Sequence, residues 1–136
     1  MSLLFDTNAI SEPVSARPDA GFMAWFSELS GDDRGPFTTS VTLAEVWQGW
    51  YRLPTAHRRR RDLRAWAEAL PRAYRVVDFD ERAARAWGEM TARLPKLPVR
   101  DSLIAAVALS RGLTVITRDT RPFVAAGCRV KSPWVG

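Results

Sequence analysis

A chain of 136 residues that is 46% hydrophobic and 26% charged can bury one core without staples, and is neither disordered nor collagenous. Lys and Arg number 20 against 15 Asp and Glu, giving a formal charge of +5 and an isoelectric point near 10.3, which favours a polyanionic partner. A single cysteine, Cys128, and a single histidine, His57, exclude an internal disulfide and a Cys- or His-built zinc site, so any metal must be held by oxygen.

Residues 2–5 are a short apolar run ending at the polar turn Asp6-Thr7-Asn8 and read as a buried strand. Pro13 and Pro18 bracket a loop. From Asp19, a candidate N-cap, the residues Phe22, Met23, Trp25, Phe26 and Leu29 recur at helical spacing, and 31–36 is a turn. A second strand, 37–40, leads directly into a helix over 41–53 with Leu43, Val46, Trp47 and Trp50 inward; Pro54 ends it. Residues 55–70 form an amphipathic helix with Leu63, Trp66, Ala67 and Leu70 inside and Arg58, Arg59, Arg60 and Arg61 outside. A third strand follows at 75–79. Asp80 then caps a helix over 81–94, with Ala84, Trp87 and Met90 inward. After the loop 95–98 come a helix over 101–111 closed by Gly112, a fourth strand at 113–117, a helical turn after Thr120 and a last strand at 129–131.

Strands alternate with helices and no tight hairpin signal appears. The expected fold class is α/β: a single domain over 1–136, three layers α/β/α, with a mainly parallel sheet of four to five strands. The longest nearly apolar stretch, 103–109, is far too short to cross a membrane. The start Met-Ser-Leu-Leu-Phe-Asp has no basic n-region or cleavage site, so a cytoplasmic location is expected.

Charge is unevenly spread. Residues 1–54 carry a net −4, 55–75 a net +5, 76–92 a net −2 and 93–136 a net +6, so two basic segments flank acidic ones. In a parallel α/β sheet, ligands bind outside the carboxyl ends of the strands. Asp6 follows the first strand and Asp119 lies two residues beyond Thr117 at the end of the fourth. Glu45 lies in the first turn of the helix leaving the second strand, and Asp101 opens the helix that runs down to the fourth, so all four acids reach one rim. Each also has a local explanation. Asp101 at a helix start reads as a cap, Thr42 and Glu45 match a capping box, and Asp6 and Asp119 suit turns. Four carboxylates on one rim, however, repel and raise one another's pKa unless a cation is present. Oxygen ligands without His or Cys select Mg²⁺ or Mn²⁺, which promotes in-line displacement at a phosphodiester.

Four blocks carry a resemblance: Leu4-Phe5-Asp6-Thr7-Asn8-Ala9-Ile10-Ser11-Glu12, Ser40-Val41-Thr42-Leu43-Ala44-Glu45, Arg100-Asp101-Ser102-Leu103-Ile104-Ala105-Ala106 and Thr114-Val115-Ile116-Thr117-Arg118-Asp119. In this order and spacing, with Ser132-Pro133-Trp134 at the end, the chain resembles the PIN-domain ribonucleases of the VapC toxin family, including its FitB-like members. One departure is Pro122 before Phe123, where similar sequences often have Asp. The resemblance implies a Mg²⁺- or Mn²⁺-dependent endoribonuclease, the toxin of a toxin–antitoxin pair, homodimeric and inhibited by a cognate antitoxin. It implies Asp6 and Asp101 as principal metal ligands, Glu45 as holding the metal or its water, and Asp119 as binding a second ion or an outer water. Thr7, Asn8 and Thr117 would orient these groups or bind water. Arg100 and Arg118, each beside an acid, are the candidate RNA-phosphate contacts. An aspartate-nucleophile phosphatase needs an acid where Asn8 stands, and a phospho-receiver needs a lysine nearer the acids than Lys131. The remaining alternative is a catalytically silent module of this fold that binds RNA or an antitoxin.

Overall fold

The computed structural model describes residues 2–29 and 36–135, so the turn expected at 31–36 lies, save for Pro36, outside the described residues. The sheet is built around β1 (Leu3–Phe5). On one side lie β2 (Phe37–Thr39) and then β3 (Arg75–Val77); on the other lie β4 (Thr114–Ile116) and then β5 (Val130–Lys131). All four pairings are parallel. Each parallel step needs a crossover. The crossovers are α1 (Thr7–Ser11) with α2 (Ala20–Ser27), α3 (Ser40–Tyr51) with α4 (Arg60–Ala73), α5 (Glu81–Arg93) with α6 (Val99–Arg111), and α7 (Arg121–Ala125).

Side chains of a strand alternate between faces, and this divides the core in two. Leu4 and Val115 pack with Met90, Ile104 and Phe123, from α5, α6 and α7. Phe5 and Ile116 pack with Ile10, Phe22, Val46 and Leu70, from α1 to α4. The molecule is therefore the expected α/β/α sandwich, with five strands among the described residues, all parallel.

Several local expectations shift. Asp6-Thr7-Asn8 is not an open turn, because the Asp6 carboxylate accepts the Ala9 N–H at 3.0 Å and starts α1 at Thr7. The helix expected from 55 begins at Arg60, since His57 N–H to Pro54 O (2.9 Å) and Arg60 N–H to His57 O (3.0 Å) close separate turns first. It runs on to Ala73 with Pro71 inside. A proline so near the end forfeits one hydrogen bond, and Tyr74 N–H closes the helix on Leu70 O at 2.9 Å. On α5 the buried alanine is Ala83; Ala84 is exposed. α6 starts two residues early, at Val99, behind Pro98.

Candidate active site

The chain moves outward from β1 through β2 to β3, then returns to place β4 on the other side of β1. Such a reversal opens a crevice at the carboxyl ends of the two strands. The register Phe5 to Ile116 puts Asp6 and Thr117 side by side at its floor, where Asp6 N–H donates to Ile116 O at 3.2 Å. Asp6 is buried, 4% exposed, with one carboxylate oxygen used as the α1 cap. Thr117, also buried, donates its hydroxyl to Asp119 O at 3.3 Å and lies beside the Asp6 carboxylate.

Glu45 arrives on α3, but not through the capping box. Thr39 caps α3, accepting Thr42 N–H at 2.9 Å, and the two threonine hydroxyls bond each other at 2.9 Å. Glu45 therefore sits in the second turn with its carboxylate released from the helix end. It faces the Arg100 guanidinium at 3.6 Å, and Arg100 also donates to Gln48 Oε1 at 3.0 Å. Asp101 is not a cap either. It is the third residue of α6, Pro98 holds the cap position, and its side chain has no hydrogen bond among the described residues. Asp119 lies half exposed at the outer edge, held by Arg121 Nε at 3.0 Å.

These placements set the electrostatics. Burial pushes the Asp6 carboxyl up to about 6; Thr117 and the Ala9 N–H pull against it, and the charges of Asp101 and Glu45 add to the rise. Burial likewise raises Glu45, opposed by Thr7 and Arg100 and reinforced by Asp101. Asp101 is raised by burial and then by Asp119. Asp119 alone goes down, because Arg121 pairs with it. Asp6, Glu45 and Asp101 are thus within electrostatic reach of one another, and Asp119 is coupled to Asp101 from the rim.

The supporting residues divide. Thr7 lies beside Glu45 with its hydroxyl buried and without a well-formed hydrogen bond. Asn8 is exposed and lines a shallow polar hollow with Ser11, Glu12, Ser15 and Arg118. Arg118 turns its charge toward Glu12 and Asp19, and the cation neutralising Asp119 is Arg121, whose only sequence signal was its place two residues on. Gln48, one helical turn beyond Glu45, was also missed. The four arginines at 58–61 do not form one basic face. Arg59 donates to Val14 O at 2.9 Å and Arg60 stacks 4.0 Å over Trp50, leaving Arg58 and Arg61 exposed.

Among the described residues no group of three or more Asp, Glu, His or Cys side chains stands close enough to enclose a metal ion. A hard ion of the Mg²⁺ type does not need such a cage, because it keeps several waters and takes one or two carboxylates. Asp101 with an unbonded carboxylate, beside buried Asp6, is a donor set of that kind and excludes the softer metals.

The PIN domain pattern matches residues 3–127. Over 97% of its length the chain is 39% identical to the plasmid stability protein StbB of Pseudomonas syringae pv. tomato, 35% to the VapC ribonuclease Y4jK of Sinorhizobium fredii and 33% to the toxin FitB of Neisseria gonorrhoeae, spanning 97–98% of each. The structure of FitAcB from Neisseria gonorrhoeae superposes with a TM-score of 0.81 at 30% identity, over 98% of this chain and 99% of that one. VapBC-5 of Mycobacterium tuberculosis, a member of the VapBC family of toxin–antitoxin systems, gives 0.64 at 28% identity over 97% and 98%.

Proposed function

The chain belongs to the PIN-domain family, with VapC and FitB proteins as its relatives, and from that premise we propose that it is a metal-dependent endoribonuclease and the toxin of a toxin–antitoxin pair. The observation that carries this reading is the crevice itself. Burial raises the carboxyls of Asp6, Glu45 and Asp101; the charges of Asp101 and Glu45 add to the rise at Asp6, Asp101 adds to that at Glu45 and Asp119 to that at Asp101, and among the described residues a single cation, Arg100, pairs with this group, 3.6 Å from Glu45. A fold that only bound RNA would gain nothing from such repulsion, whereas a divalent cation relieves it.

Asp6 and Asp101 would hold Mg²⁺ or Mn²⁺, with Glu45 holding the ion or orienting a water and Asp119 acting from the rim. When bound, such an ion supplies Lewis-acid stabilisation of a phosphodiester and a more acidic water. The protein's own groups position the substrate. Arg100, more than half exposed and only loosely paired, is free to exchange Glu45 for an RNA phosphate. Arg118 offers a second contact on the Asn8 side. Thr117 orients the Asp6 carboxylate, and the Thr7 hydroxyl steadies Glu45. The toxin FitB and the VapBC toxin–antitoxin structure among its relatives support a cognate antitoxin as protein partner, and the working form we propose is a homodimer. No helix among the described residues is long and apolar enough to cross a membrane; the proposed site of action on RNA is the cytoplasm.

The test is cleavage of total RNA by the purified protein with Mn²⁺, with Mn²⁺ plus excess chelator, and by Asp101→Asn. Cleavage in the first case alone is expected. Cleavage that survives both chelator and Asp101→Asn would sink the assignment.

A further inference from the structure

Beside the acids lies a cavity of about 260 Å³ between α1, α3 and α4. Its lining includes Thr7 and Glu45 from the acidic crevice, Gly49 and Trp50 from α3, and Leu63 and Trp66 from α4. We propose that this cavity is a nucleobase subsite, taking the unstacked base of a nucleotide that flanks the scissile phosphate. The proposal rests on the ribonuclease reading and deepens it.

Continuity is the first argument. Thr7 and Glu45 belong to both the cavity and the crevice, so a phosphodiester held at the acids carries its neighbouring base to the cavity mouth. Shape and chemistry are the second. The volume falls just below the ~300–1,000 Å³ of sites that take drug-sized ligands, which suits one planar ring. The walls are apolar and aromatic, and RNA bases splayed out of single strands stack on such rings. Charge is the third. The guanidiniums of Arg60 and Arg64 lie over the Trp50 ring, 4.0 Å and 4.9 Å from its centre, so positive charge stands next to the cavity for a phosphate backbone, and Trp66 is left as the ring for a base to stack on.

Gly49 supplies the test. Gly49 lines the cavity and a Cβ built there meets nothing within 4 Å, so a larger side chain is added at the cavity wall without displacing the fold. Cleavage of a short single-stranded RNA with Mn²⁺ would be compared for the wild type, Gly49→Ala and Gly49→Leu, using intact RNA and RNAs abasic at each position around the cut. Thermal unfolding confirms that each variant folds. For the wild type, loss of one particular flanking base should slow cleavage about tenfold, the scale of one lost stacking contact. Gly49→Leu should show a similar loss on intact RNA and no further loss on that abasic RNA, with Gly49→Ala between. Wild-type cleavage indifferent to every abasic position, or Gly49→Leu cutting like the wild type, would overturn the subsite and leave the ribonuclease reading standing. So would a Gly49→Leu variant that cuts normally but escapes antitoxin inhibition, since the cavity would then belong to the protein partner. Absence of any metal-dependent cleavage by the wild type would overturn both readings.

Discussion

Asp6 and Asp80 perform the same local task and end in opposite electrostatic states. Each sits between a strand and a helix, and each accepts a third-residue N–H at 3.0 Å, from Ala9 and Ala83. Asp80 is then completed by Arg111 at 2.8 Å, and the cap and the cation together hold its carboxyl below the usual range. Asp6 is buried with two other acids for neighbours, and its carboxyl rises to about 6. Nothing in the cap distinguishes them. The difference comes first from burial of Asp6 at the central strand and then from the reversal of strand order at β1, which brings Glu45 and Asp101 to that residue and leaves Asp80 at the outer side of the sheet, where Arg111 neutralises it. Capping is structural in both; only Asp6 carries an uncompensated charge that a ligand would relieve.

The largest test of this contrast is catalytic. Asp6→Asn and Asp101→Asn should each lower metal-dependent RNA cleavage by at least ~100-fold, the scale of losing one electrostatic element of a site, while Asp80→Ala leaves the specific activity of the folded protein unchanged. Equal losses from Asp80→Ala would break the comparison.

Stability should move the other way. Because burial raises the Asp6 pKa, its contribution is fully favourable below the ordinary carboxylate range and is lost as pH rises through about 6. Asparagine keeps the cap but carries no charge. Without metal, Asp6→Asn should therefore be more stable than the wild type above pH 7 by about 1–3 kcal/mol, a gain that shrinks to nothing below pH 4. Asp80 has a depressed pKa, so its contribution is present at neutral pH and fades as pH falls through its folded value. Asp80→Ala should then destabilise at pH 7 and converge on the wild type in acid. Urea titrations across pH check both slopes.

A smaller effect separates the two arginines. Arg100 meets Glu45 at 3.6 Å and Arg111 meets Asp80 at 2.8 Å. Arg100→Ala should weaken RNA binding several-fold and flatten its logarithmic salt dependence by about 1, whereas Arg111→Ala should leave the salt slope alone. Fluorescence anisotropy with a labelled RNA at several salt concentrations reads this directly.

The strand and helix order, the parallel sheet and the rim on which the acids gather were all legible in the sequence, because they depend on periodicity and on the direction of each crossover. Local hydroxyl and carboxyl assignments were less so. Whether Thr39 or Thr42 caps α3 depends on where β2 stops, and that is set by pairing Thr39 with Val77, a contact nearly forty residues away. The same reason freed Glu45 from the capping box, whereas Asp101 lost the cap position because α6 starts two residues earlier, behind Pro98. Asp6-Thr7-Asn8 looked like a turn because a five-residue helix leaves almost no periodic trace. Arg121 and Gln48 escaped notice because exposed side chains choose partners by tertiary proximity, and the arginines at 58–61 lost their apparent common face once the helix was found to begin at Arg60.

The most direct measurement is the melting temperature of the wild type and Asp6→Asn at pH 7.5, with and without saturating Mn²⁺. An ion that binds only the folded state raises its stability in proportion to occupancy. Asp6→Asn should melt higher without metal, and Mn²⁺ should raise the wild type by several degrees while barely moving the variant, reversing their order. A wild type unmoved by Mn²⁺, or a variant moved equally, would contradict the assignment of the buried acid at the β1–β4 crevice as a metal ligand.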